Sequence, residues 1–105
     1  MNNKSENVTA PRVVKRIRKG NNMTVSEMFK ELKYETEKAI RNTENRVPYM
    51  SGSQYKKDML KRKIEQYRSD ATIDHELNVI SDEIFKYETE IADRMEKALD
   101  FFVLY

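Results

Sequence analysis

From Ile73 to Phe102 the chain returns to an apolar or small residue at every third or fourth position. Ile73, Leu77, Ile80, Ile84, Tyr87, Ile91, Met95, Ala98 and Phe102 are separated by 4, 3, 4, 3, 4, 4, 3 and 4 residues. This is heptad spacing with one four-residue stutter between Ile91 and Met95, and it lines one side of an α-helix. It predicts a single helix over about 72–103, about 45 Å long at 1.5 Å per residue. Two shorter helices can cover a stripe of that length only by lying against it end to end. The pattern therefore predicts either an elongated bundle or pairing with a second copy.

The preceding segments read as helices too. Two Gly and two Pro in 105 residues leave little material for turns, and 36% charged residues beside 38% hydrophobic ones is the mix of helical bundles and coiled coils. Thr24 and Glu27 have the spacing of a capping box, with Met23 and Met28 placed as a hydrophobic staple. Val25, Met28, Phe29, Leu32, Thr36, Ala39 and Ile40 then mark one face, which predicts a helix over about 24–44. Pro48 and Gly52 break the chain. A second helix is predicted over about 53–68, with Tyr55, Met59, Leu60, Ile64 and Tyr67 on one side, and the capping side chains of Ser69–Thr72 are expected to interrupt it. Residues 1–22 are too poor in apolar side chains to offset the entropy of ordering them and read as a disordered basic arm. Within the arm, the stretch from Pro11 to Gly20 has the marks of a short helix that needs a partner to form. The expected fold is all-α: an elongated helical hairpin or three-helix bundle in one domain, 23–105, with a long coiled-coil-like C-terminal helix.

Several kinds of chemistry lack their residues. Without cysteine there is no disulfide, thiolate nucleophile or thiolate metal site. The single imidazole, His75, sits between Asp74 and Glu76, neighbours that point away from it on a helix, and is expected to face solvent. Acid–base pairs such as Asp82 with Lys86 and Glu90 with Arg94 have the spacing of solvated helix surfaces. No Gly-rich phosphate loop or nucleophile elbow occurs. We therefore expect no enzyme, cofactor, metal or small-molecule substrate. No apolar run reaches the roughly 18 residues of a membrane span, so a cytoplasmic, membrane-free setting is expected.

Charge is divided along the chain. Residues 1–68 hold 17 Lys/Arg against 8 Asp/Glu, whereas residues 69–105 hold 3 against 10. Arg12, Lys15, Arg16, Arg18 and Lys19 form the densest cationic stretch, a candidate nucleic-acid contact, and Lys56, Lys57, Lys61, Arg62, Lys63 and Arg68 give the second helix a basic side. The same polarity would also let two copies attract one another. At the other end Phe102 continues the heptad seam while Leu99, Phe101, Val103, Leu104 and Tyr105 cover every other direction of a helix, so something must cover them, either the core of the bundle or of a dimer, or a protein partner for which Leu99, Phe101, Phe102, Leu104 and Tyr105 are the candidate contacts. Leu99-Asp100-Phe101-Phe102 resembles the short Leu-Asp-aromatic tails by which phage late-transcription factors, and more loosely bacterial replication proteins, enter the groove of a DNA sliding clamp. That resemblance covers only the end of the chain and implies a docking tail; small size and Lys/Asn/Ile-rich usage fit a phage product.

The function expected is a regulatory or adaptor protein that binds a protein partner through its helical stripe and aromatic end, with the arm adding nucleic-acid affinity. A structural or assembly component forming a helical homo-oligomer, and a direct DNA- or RNA-binding protein, are the alternatives.

Overall fold

A computed structural model describes residues 23–105, and the basic arm, with Arg12, Lys15, Arg16, Arg18 and Lys19, lies outside the described residues. The order of elements is α1 (Val25–Arg41), β1 (Ser51–Gly52), α2 (Gln54–Glu76), α3 (Asp82–Asp100) and β2 (Val103–Leu104). The capping box at the start of α1 is formed from both sides, with Glu27 N donating to Thr24 Oγ1 at 3.1 Å and Thr24 N to Glu27 Oε1 at 2.9 Å. Ser53 caps α2 from one side only, its hydroxyl accepting from Lys56 N at 3.2 Å.

One turn overturns the long C-terminal helix. α2 runs on to Glu76, through the Ser69–Thr72 stretch that had been expected to interrupt it. Thr72 donates its hydroxyl to the Arg68 carbonyl at 3.1 Å and Ala71 is buried, so side chains able to cap a helix are accommodated inside one. The helix then stops at Asn78, which takes φ 61°. Asn78 N donates to His75 O and Val79 N to Asp74 O, the paired bonds of a Schellman motif. Ser81 opens α3, its hydroxyl accepting from Ile84 N at 3.2 Å. The predicted helix over 72–103 is thus the end of one helix, a turn, and a second helix folded back on it.

α2 and α3 form an antiparallel hairpin, and α1 packs against both. Met28 and Leu32 of α1, Leu60 and Ile64 of α2, and Ile91, Met95 and Ala98 of α3 make the core, closed at one end by Met50, Leu99 and Phe102. β1 and β2 pair in parallel, Ser51 with Val103 and Gly52 with Leu104, a contact between distant parts of the chain that the sequence did not suggest. Gly52 has φ 156°, and a Cβ there would lie 3.3 Å from Phe102 Cζ, so the absence of a side chain lets the ring close the core. α1 ends in another Schellman turn, with Thr43 at φ 51°. Arg94 Nη1 donates to Glu44 O at 2.7 Å, which ties that turn to the middle of α3.

Candidate interaction surfaces

The described residues measure 53 × 31 × 20 Å, and both ends of this rod expose apolar side chains. At the strand end the expected partner-binding residues divide. Leu99 and Phe102 are buried in the core, whereas Phe101, Leu104 and Tyr105 face outward beside Tyr49 and Tyr55. The division follows from the turn at Phe101, which ends α3 and sends the chain onto β1: Val103 N donates to Met50 O at 3.0 Å and Tyr105 N to Gly52 O at 3.1 Å. Two residues of the Leu-Asp-aromatic stretch therefore hold the bundle together, and the segment is strapped down by backbone hydrogen bonds. The part open to solvent is the outer face of the strap.

The opposite end was missed by sequence reasoning. Between Thr72 and Glu90 no residue is buried. This tip of the α2–α3 hairpin nevertheless carries Ile73, Leu77, Val79 and Ile84, which are 47–67% exposed. α1 cannot reach them, because it has already turned away at Asn42–Glu44. Tyr67 marks where cover ends: its ring lies 6.1 Å from that of Phe29 and beneath Lys33 Nζ, with part of its surface open. Burial, with smaller contributions from Glu88, Glu37 and Tyr87, pushes its hydroxyl pKa up to about 12. Beyond Tyr67 the hairpin is held by its own cross-contacts. His75 stacks on Phe85 with ring centroids 4.2 Å apart, and its Nε2 lies 2.6 Å from Asp82 Oδ1. His75 is thus half-buried, contrary to the solvent-facing position expected, and joins the last turn of α2 to the first of α3. The signals that could have located the tip were Asn78 as a left-handed stop and Ser81 followed by Asp82 and Glu83 as a helix start.

The tip carries an excess of negative charge. Over 72–90 stand Asp74, Glu76, Asp82, Glu83, Glu88 and Glu90 against Lys86 alone among Lys and Arg. The basic side of α2 is partly engaged within the chain. Lys56 Nζ donates to Met23 O at 2.7 Å, and Arg68 Nη2 contacts both Asp93 and Glu96, at 2.7 and 2.8 Å; these carboxylates hold the guanidinium pKa up. Lys61, Arg62 and Lys63 remain exposed. An open groove between α2 and α3 near the strand end is lined by both signs of charge, with Lys57 and Lys61 facing Asp93, Glu96 and Asp100. Among the described residues, no group of three or more His, Asp or Glu is placed to hold a metal ion, and no helix is long and apolar enough to cross a membrane.

The chain matches no family model, no curated protein and no solved structure.

Proposed function

We propose that this chain is a non-enzymatic adaptor or regulatory protein that works by docking on another polypeptide through the hairpin tip. The observation that carries this reading is the stretch from Thr72 to Glu90, which presents four large aliphatic side chains to water and buries none of them. Contiguous apolar surface among charged side chains is characteristic of protein contacts, where a few central apolar anchors carry most of the binding energy. Ile73, Leu77, Val79 and Ile84 are those anchors in this reading. The outer strap residues Phe101, Leu104 and Tyr105 form a second contact.

Photo-crosslinking tests it. A crosslinkable residue is placed at Val79 and, as a control, at the exposed Lys63 on the flank of α2. A discrete adduct formed from Val79 and not from Lys63, and lost when Ile73 and Ile84 are changed to Ser, supports the reading. Adducts of equal yield from both positions, indifferent to those changes, overturn it.

A further inference from the structure

We infer that the tip is occupied by the cationic segment Arg12–Lys19 of a second copy of this chain, in an antiparallel pair in which each copy contributes one tip and one segment. The inference rests on the proposed docking role of the tip and names its partner.

The chemistries are complementary. The tip offers the exposed Ile73, Leu77, Val79 and Ile84 on a segment that also carries Asp74, Glu76, Asp82, Glu83, Glu88 and Glu90. The segment Arg12-Val13-Val14-Lys15-Arg16-Ile17-Arg18-Lys19 interleaves three aliphatic residues with five cations. Apolar contact would cover the exposed aliphatics while the cations meet those carboxylates, a pairing that gives register and rate as well as affinity. Two tips facing one another would set like charges together, so tip-to-tip contact is disfavoured.

Chain length favours the second copy over the same one. Lys56 holds the Met23 carbonyl at the start of α2, so Met23, the first described residue, sits at the strand end. Along α2, Ile73 is about 25 Å from Lys56 and Leu77 about 30 Å, at 1.5 Å per residue. Lys19 is four residues from Met23 and can travel at most about 14 Å, Arg18 about 18 Å and Arg16 about 25 Å when fully extended. Within one molecule Ile17, Arg18 and Lys19 fall short of the tip, and Arg12–Arg16 reach it only with the intervening chain drawn well beyond its relaxed length. An antiparallel neighbour sets its own segment exit beside the tip and brings the whole segment onto it.

Charge exchange tests this on the full chain. In one variant Lys15, Arg16 and Lys19 become Glu; in the other Glu76, Glu83 and Glu88 become Lys. All the altered tip positions lie where no side chain is buried, and unchanged helical circular dichroism would show that the fold is kept. Light scattering should show a dimer for the unaltered chain, weakening as salt is raised. Each variant alone should dissociate, with the dimer constant weakened roughly tenfold or more. Mixed one to one they should associate again, because the acidic segment of the first now meets the basic tip of the second and the reverse contact is unaltered in sign. Failure of the mixture to associate overturns the inference, as does an unaltered chain that stays monomeric at every concentration. In that second case a crosslink specific to Val79 would still uphold the docking role of the tip with a different protein. If the segment variant keeps its mass but loses binding of a labelled DNA or RNA oligonucleotide, the segment serves nucleic acid and the inference is likewise overturned.

Discussion

Ile84 and Ile91 are the same residue type, seven positions apart on α3 and on one continuous apolar stripe, yet Ile91 is fully buried and Ile84 is 47% exposed. Nothing in their spacing distinguishes them. The difference comes from α1, which covers the half of the hairpin near the strands and turns away before the other half, leaving Ile84 with Ile73 and Leu77 in water. Periodicity specifies which face of a helix is apolar; a separate element decides whether that face is covered. The most direct way to break this comparison is to truncate both side chains. Ile91→Ala should lower stability by about 3 kcal/mol, because it removes buried methyl groups and leaves a cavity. Ile84→Ala, measured by urea unfolding at concentrations where the chain is monomeric, should stay within about 0.5 kcal/mol of the unaltered protein. Equal losses would mean that the tip is covered within a single chain.

The strand end offers the next test, since it holds its apolar residues by a close approach that the tip lacks. Gly52→Ala places a Cβ 3.3 Å from Phe102 Cζ at φ 156°, a backbone conformation that side chains rarely adopt. A loss of about 1–3 kcal/mol is expected, seen as a lower urea midpoint. Unchanged stability would show that the β1–β2 pairing contributes little to seating Phe102. Ala at Asn78, the left-handed stop of α2, would probe only the turn and not the core.

What could be read from the sequence divides along the same line. The start of α1 was legible because a capping box is local chemistry, Thr24 and Glu27 satisfying each other's backbone donors. The break at Pro48 and the start of α2 near Ser53 were legible because Pro and Gly act locally on the backbone. The turn between α2 and α3 was hidden because Leu77, Ile80 and Ile84 keep helical spacing across a segment that is not helical, and Asn78 and Ser81 are weak signals beside a heptad run. The parallel pairing of Ser51–Gly52 with Val103–Leu104 joins residues some fifty positions apart through two-residue strands, which no local pattern encodes. Phe102 lay on the heptad stripe, but nothing in sequence separated Leu99, which is buried, from Phe101 and Leu104, which are exposed; the turn at Phe101 sorted them into core and surface.

A smaller effect of opposite sign is expected inside the covered half. Thr36 is buried within the α1 stripe, and its hydroxyl has no hydrogen-bond partner among the described residues. A buried polar group in that state costs free energy without return, so Thr36→Val, which keeps the shape, should stabilise the protein by about 1 kcal/mol. A loss on that change would reveal a partner for the hydroxyl in solution.

The boundary between the covered and uncovered halves can be read from Tyr67, the last aromatic ring on which α1 packs. Its pKa is raised from 10.0 to about 12, first by burial and then by the nearby charges of Glu88, Glu37 and Tyr87. A phenol that holds its proton more tightly when folded contributes fully below pH 10, and that contribution is lost as pH rises from 10 to 12. Over that window the urea midpoint of the unaltered chain should fall, and Tyr67→Phe, which cannot ionise, should make the fall shallower. The effect is modest because the ring is only half covered. A fall unchanged by Tyr67→Phe would mean that the ring is as open to water as the tip beyond it, and that the cover supplied by α1 ends nearer the strands.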